Sequence, residues 1–108
     1  MTTNNNNIQN ERIETFNDII SSDKPVLVDF FATWCGPCKA MHPVLETLKA
    51  DMGDSIRVIK IDVDENRPVA EAYRIQAVPT LMLFRNGEVQ WRESGVIGID
   101  DLKAMINQ

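Results

Sequence analysis

The sequence lacks the features that mark membrane proteins and nucleic acid binding proteins. It contains no apolar run near the roughly 18 residues that a membrane-spanning helix needs. Its 11 lysines and arginines are scattered and are outnumbered by 16 aspartates and glutamates, which gives a net charge of -5. Because a phosphate backbone favours clustered basic residues, this balance argues against a nucleic acid partner. We therefore expect no membrane segment and no bound nucleic acid.

The first ten residues also lack the basic and apolar regions of a signal peptide. This predicts a cytoplasmic protein, while a processed periplasmic chain would have a similar start. Asparagine-rich sequence buries too little surface to offset its ordering entropy, so we expect a flexible tail over residues 1–10. The remaining residues, 11–108, suffice for one hydrophobic core but not for two. They predict a single domain, which we expect to be monomeric.

Cysteine is scarce, and the two that occur are three positions apart. Cys35 and Cys38 are too few for a secreted disulfide scaffold. The pair also resembles half of a zinc or iron-sulfur site, but such sites usually have four ligands and the chain has a single histidine, His42. We therefore expect no metal and no bound cofactor. A reversible Cys35–Cys38 disulfide is the predicted redox centre.

Apolar periodicity and turn residues predict an α/β fold. The predicted elements are a helix Glu11–Ser21, a strand Val26–Phe31, a helix Cys35–Met52, a strand Ile56–Ile61, a helix Arg67–Tyr73, a hairpin of strands Thr80–Arg85 and Glu88–Arg92, and a helix Ile99–Ile106. Asn86-Gly87 is a strong signal for a two-residue hairpin turn. Strands joined through helices run parallel and hairpin strands run antiparallel, so we expect a mixed sheet with helices on both faces. Pro43 should bend the long second helix.

The position of the cysteines at a predicted helix start suggests different roles for them. Cys35 lies beside free backbone N–H groups, which favour a thiolate and hence a nucleophile. Cys38 lies one turn further on, and we expect it deeper in the protein as the resolving thiol. Gly36 and Pro37 shape the tight first turn. His42 could suggest a Cys-His nucleophile, but its place on the helix favours an ordinary surface residue.

Asp29 is a second candidate for chemistry, because it is the one charged residue in an apolar strand. Burying a carboxylate is costly, which should raise its pKa towards the range of a general base. The alternative is a residue at the end of the strand that faces solvent. Both interpretations remain open from the pattern itself.

Several segments together closely resemble the thioredoxin family. They are Val28–Lys39 with its Trp-Cys-Gly-Pro-Cys motif, Pro43, Val58–Asp64, Val78–Leu81, Phe84–Gly87 and Gly95. The resemblance implies a thioredoxin fold with a central mixed four- or five-stranded sheet. It also implies a protein-disulfide reductase that acts in electron transport and cell redox homeostasis. The partners it implies are disulfide-containing proteins and an NADPH-dependent, flavin-containing thioredoxin reductase.

The resemblance also assigns roles to individual residues. It makes Cys35 the nucleophile, Cys38 the resolving thiol, and Asp29 a buried acid that deprotonates Cys38 and pairs with Lys60. Lys60 could instead be a solvated edge charge. Pro79 is expected to follow a cis peptide bond, although most prolines are trans. The implied substrate groove comprises Trp34, Gly36, Pro37, Val78, Pro79, Gly95 and Val96.

The chain departs from the family pattern at three places. Phe31 replaces a tryptophan found in many members, and residues 74–77 lack a glycine that often precedes the cis-proline. The asparagine-rich start shows no clear first strand, so the sheet has either four or five strands. Two other functions stay open, namely a binding module without turnover and an enzyme that works as an oxidant or isomerase.

Overall fold

A computed structural model describes residue 13 and residues 15–108, and its centre is a four-stranded sheet. The strands are β1 (Val26–Phe31), β2 (Arg57–Asp62), β3 (Thr80–Arg85) and β4 (Glu88–Ser94). Their order across the sheet is β2-β1-β3-β4. β1 runs parallel to β2 and antiparallel to β3, and β3 runs antiparallel to β4. The predicted mixed sheet is thus confirmed.

In the part of the chain that the structure describes, four α-helices connect and flank these strands. They are α1 over residues 15–20, α2 (Gly36–Met52), α3 (Arg67–Ala72) and α4 (Ile99–Ile106), and a short 3-10 turn Gly53–Ser55 follows α2. Most observed boundaries lie within one or two residues of those predicted. The expected tail over residues 1–10, a fifth strand within it and the predicted helix start at Glu11 lie outside the described residues. Within residues 15–108, none of the helices has the length and apolarity to cross a membrane.

Both faces of the sheet are covered, which explains why β1 is almost continuously apolar. One face packs against α2 and α4 through Leu27, Met41, Leu45, Leu48, Leu81, Leu83, Leu102 and Ile106. The opposite face packs against α1 and α3 through Phe16, Ile20, Val28, Phe30, Val69, Met82 and Phe84. The sheet therefore separates two apolar layers.

The hairpin turn has the backbone that its sequence predicts. Asn86 and Gly87 have φ angles of 53° and 82°, the left-handed conformation required at both central positions of this turn. The amide of Gly87 donates to the Ile20 carbonyl at 2.8 Å, and the amide of Asn86 donates to the Ser22 carbonyl at 3.1 Å. The turn is thereby fixed to the end of α1.

The junction between β1 and α2 places the cysteine motif at the carboxyl end of a central strand. Cys35 is the N-cap of α2, and Gly36 and Pro37 occupy the first helical positions. Pro43 lies inside α2, which continues on both sides of it. The bend expected at Pro43 stays a prediction. Gly53 ends the helix with a φ of 54°, and its amide donates to the Lys49 carbonyl.

Candidate active site

Cys35 and Cys38 form a disulfide at the start of α2. The backbone amide of Cys38 donates to Cys35 Sγ at 3.1 Å, so the sulfur takes the place of a capping oxygen. In the reduced protein the same amide, together with the helix dipole, would favour a thiolate on Cys35. The geometry therefore supports Cys35 as the group whose charge the helix stabilises.

Burial does not distinguish the two cysteines as the sequence predicted. Cys35 is 4% exposed and Cys38 is 6% exposed, so Cys38 is not the deeper residue. Both side chains pack with Ala32, because the short ring holds them against the end of β1. What does differ between the two sulfurs is their position at the helix N-terminus, where Cys35 Sγ accepts the Cys38 amide.

A cis peptide bond lies beside the dithiol, between Val78 and Pro79. This confirms the cis isomer that the resemblance implied. The Val78 carbonyl oxygen is 3.5 Å from Cys35 Sγ. The amide of Gly95 donates to the Pro79 carbonyl at 2.9 Å, which joins the start of β3 to the end of β4. The loop before β3 is thus in contact with the Cys35 sulfur.

The surface around the disulfide includes exposed apolar side chains. Trp34 is 72% exposed and Val96 is 52% exposed, whereas Val78 is half-buried and Pro79 is buried. Gly36, Pro37 and Gly95 are exposed. An extended peptide that lies across the disulfide would meet main-chain groups at Val78 and apolar surface at Trp34.

Asp29 is fully buried, so the solvent-facing alternative is wrong. Within residues 15–108, neither of its carboxyl oxygens has a hydrogen-bond partner. Burial raises the pKa of Asp29 from its ordinary value of 3.8 to about 6, and the positive charge of Lys60 opposes this rise. A carboxyl group with such a pKa can accept and release a proton near neutral pH.

Lys60 occupies the expected backbone position beside Asp29, but its ammonium group contacts other side chains. It is paired in register with Asp29 across β1 and β2. However, its Nζ lies 3.4 Å from His42 Nδ1 and 5.2 Å from the centre of the Phe31 ring. The ion pairs found among the described residues do not include Lys60 with Asp29, so the direct pair implied by the resemblance is not formed. Lys60 acts on Asp29 through its charge alone.

His42 is an exposed residue of α2. Its ring contacts Lys60, and no hydrogen bond joins it to either sulfur in the part of the chain that the structure describes. The geometry favours the surface residue over a Cys-His nucleophile.

An apolar cleft of about 390 Å³ opens beside Cys38. Its lining consists of Phe31, Ala32, Thr33, Cys38, Lys39, His42 and Lys60. The charged residues in this lining are all basic, in contrast to the net charge of -5 of the whole chain. The cleft therefore gives access to Cys38, and Lys60 lies in the same cleft.

Sequence reasoning missed Asp64, which holds the exposed tryptophan. The Trp34 indole N–H donates to Asp64 Oδ2 at 2.9 Å. Asp62 Oδ1 accepts from the amide of Asp64 at 2.9 Å and so shapes the turn that presents it. The acidic sequence after β2 was visible, but a contact between residues 30 positions apart could not be read from local patterns.

Metal ligands are not gathered at this site. Across residues 15–108, no three or more histidine, cysteine, aspartate or glutamate side chains are placed to hold an ion.

Comparison with known proteins assigns the family. The thioredoxin family model matches residues 7–108. Thioredoxin of Bacillus subtilis is 43% identical over 88 residues, which cover 82% of this chain and 85% of that protein. A Mycobacterium leprae protein, named bifunctional thioredoxin reductase/thioredoxin, is 46% identical over 83 residues, which cover 77% of this chain but only 18% of that protein.

A solved structure agrees with these sequences. Malassezia sympodialis thioredoxin superposes with a TM-score of 0.80 and 38% identity, over 88% of this chain and 83% of that one. The mixed sheet and flanking helices are those of the thioredoxin fold, as predicted. Because a disulfide of this kind exchanges with other thiols, the Cys35–Cys38 pair serves as the redox centre. The chain belongs to the thioredoxin family and is a thiol-disulfide oxidoreductase.

Proposed function

We propose that this oxidoreductase works as a reductase of protein disulfides, with Cys35 as nucleophile and Cys38 as resolving thiol. The observation that carries the assignment is the hydrogen bond from the Cys38 amide to Cys35 Sγ at the N-terminus of α2. An amide that donates to this sulfur stabilises negative charge on it. Gly36 and Pro37 between the cysteines add no titrating group.

The proposed reaction consists of two successive thiol-disulfide exchanges. The Cys35 thiolate attacks one sulfur of the substrate disulfide, forms a mixed disulfide and releases the other substrate sulfur as a thiolate. Cys38 then loses its proton and attacks Cys35 Sγ, which restores the Cys35–Cys38 disulfide and releases the second substrate thiolate. Two electrons pass from the protein to the substrate.

Asp29 is proposed to accept the proton of Cys38 in the second exchange. Its pKa of about 6 makes it mostly ionised at pH 7 but still basic enough for the task. Lys60 is proposed to assist by favouring the ionised form of Asp29 across the parallel strand pair. The substrate is proposed to lie across Trp34, Gly36, Pro37, Val78, Pro79, Gly95 and Val96.

The proposed electron donor is an NADPH-dependent thioredoxin reductase that contains a flavin. The M. leprae relative, whose name joins a thioredoxin reductase to a thioredoxin, supports a reductase partner. We further propose that the protein is a cytoplasmic monomer whose domain spans residues 11–108 and that it acts in electron transport to oxidised proteins.

Two substitutions test the assignment of the cysteines. We expect Cys35→Ser to abolish reduction of insulin disulfides, and Cys38→Ser to accumulate mixed disulfides with substrate that a strong thiol releases. Non-reducing electrophoresis and mass spectrometry would identify the attached residue. Attachment through Cys38 in the Cys35→Ser variant would reverse the roles.

The direction of the reaction needs a separate measurement. A Cys35–Cys38 couple that equilibrates well below the potential of the glutathione pool is expected for a reductase. A potential well above that of glutathione would instead indicate an oxidant or isomerase. Retained biological function in a double Cys→Ser variant would indicate a binding module.

A further inference from the structure

The turn that ends α3 uses an arginine where a glycine is usual. Arg74 has a φ of 53°, the left-handed conformation that side chains disfavour. The amide of Arg74 donates to the Glu71 carbonyl at 3.0 Å, and the amide of Ile75 donates to the Ala70 carbonyl at 2.9 Å. These two bonds define a Schellman motif, whose left-handed position is commonly glycine. The turn therefore needs support from elsewhere in the fold.

Arg92 of β4 supplies such a contact. Its Nη2 donates to the Arg74 carbonyl at 2.7 Å, and its Nη1 donates to the carbonyl of Tyr73. The planar guanidinium group thus spans two consecutive carbonyls at the end of a helix, where backbone oxygens lack helical partners. Arg92 fixes the first residues of the segment that leads to the cis-proline.

The other end of that segment is also held by the sheet. The hydroxyl of buried Thr80 donates to the Ala77 carbonyl at 2.6 Å and is 2.8 Å from the hydroxyl of Ser94. The segment before the cis-proline is therefore held by side-chain hydrogen bonds from Arg92 at its start and from Thr80 near its end. Val78, which contacts Cys35 Sγ through its carbonyl oxygen, is the last residue of this span.

We propose that Arg92 is a positioning residue for substrate binding, acting through the carbonyls of Tyr73 and Arg74 to hold the main chain of Val78 beside the disulfide. This inference rests on the proposed reductase function, in which Val78 pairs with the substrate peptide. Arg92 touches neither sulfur and takes no part in proton transfer. Its effect falls on the binding of peptide substrates and not on the exchange between sulfurs.

The test compares Arg92→Ala with Arg85→Ala. Arg85 of β3 makes a similar contact, in which its Nη2 donates to the Ile106 carbonyl at 3.2 Å at the end of α4. Both substitutions remove an arginine that binds a helix carbonyl, but only Arg92 is connected to the loop before Val78. Arg85→Ala thereby controls for general loss of stability.

For Arg92→Ala we expect the KM for insulin to rise about fivefold, the equivalent of one ordinary hydrogen bond, with kcat within about twofold. Reduction of bis(2-hydroxyethyl) disulfide should be unchanged, because this small disulfide has no peptide to pair with Val78. Arg85→Ala should leave both reactions at the wild-type values. Arg92→Lys keeps the charge but loses the two-pronged donor, so it should resemble Arg92→Ala.

A second substitution removes the unfavourable backbone conformation at residue 74. Arg74→Gly makes the left-handed position favourable, so Arg74→Gly with Arg92→Ala should recover at least half of the lost affinity for insulin. Equal KM values for Arg92→Ala and Arg85→Ala would overturn the positioning role, as would an equal loss with the small disulfide. Failure of the proposed function is distinct, because the wild-type protein itself would then not reduce insulin.

Discussion

Asp29 combines complete burial with a charge that has no hydrogen-bonding partner among residues 15–108. A carboxylate in such a place opposes folding, since its charged form is better solvated in the unfolded chain. The folded protein therefore binds the Asp29 proton more tightly than the unfolded chain does. A group that destabilises the fold in this way is expected where proton transfer requires it.

The stability of the protein should consequently depend on the ionisation of Asp29. The pKa of Asp29 is about 6 when folded, against 3.8 as its ordinary value. Between these values the folded state binds more protons than the unfolded state, so the free energy of unfolding should fall as pH rises from about 4 to about 6. A pKa difference of this size corresponds to about 3 kcal/mol.

Asp29→Asn should raise the free energy of unfolding above pH 6 by up to about 3 kcal/mol and remove this decline. Urea unfolding at several pH values would measure both effects. Asp18→Asn, which changes an exposed aspartate of α1, is the matched control and should leave the profile unchanged. A profile of Asp29→Asn parallel to that of the wild type would contradict the prediction.

Sequence patterns predicted the environment of a residue well where neighbouring residues in the sequence determine it. Asp29 lies amid apolar strand residues, a setting that favoured burial while leaving a solvent-facing position open, and the side chain is buried. The direction of the Lys60 side chain did not follow, because a long flexible chain can reach His42 as easily as a neighbouring strand. Asp64 and Arg92 were missed for a related reason, since their partners are distant in sequence.

In the hairpin of β3 and β4, a two-residue turn sequence determines where the chain reverses between the strands. Gly87 has a φ of 82°, and its amide is bonded to the end of α1. The Asn-Gly pair predicted the position and the two-residue length of this turn from local chemistry. The left-handed Arg74 was not predicted, because the side chain that binds its carbonyl comes from another strand, 18 positions away.

Gly87→Ala should lower the free energy of unfolding by about 1 kcal/mol, because a side chain disfavours a positive φ. Added atoms would meet Ser21 Oγ at 3.5 Å, an ordinary contact, so the cost comes from the backbone. Gly36→Ala is the comparison, since that site has nothing within 4 Å and no positive φ. Thermal and urea unfolding should show a loss only for Gly87→Ala, and equal losses would contradict the backbone explanation.

The whole molecule depends on one sheet shared by two apolar layers. Phe84 of β3 is fully buried, and its ring lies 5.8 Å from that of Phe16 and 5.6 Å from that of Tyr73. The opposite layer, against α2 and α4, is built on the same strands. Loss of packing in one apolar layer should therefore lower the stability of both layers together.

Phe84→Ala should lower the free energy of unfolding by about 3–5 kcal/mol, as expected for an aromatic residue removed from a packed core. Tryptophan fluorescence and far-UV circular dichroism should move to the same lower denaturant midpoint, because both layers unfold together. Val89→Ala, at a site 47% exposed, should change stability by no more than about 0.5 kcal/mol. Separate midpoints for the two probes would indicate that the layers unfold independently.

The hydrogen bond between Trp34 and Asp64 bears on the proposed contact of this surface with substrate proteins. An indole ring that is 72% exposed would ordinarily sample several rotamers in water, yet this one is tied to a carboxylate on the loop after β2. A partner that covers the ring then finds it already oriented and loses less side-chain entropy on association. In the proposed substrate groove, the protein would therefore present the same apolar surface to different disulfide substrates without reshaping itself for each.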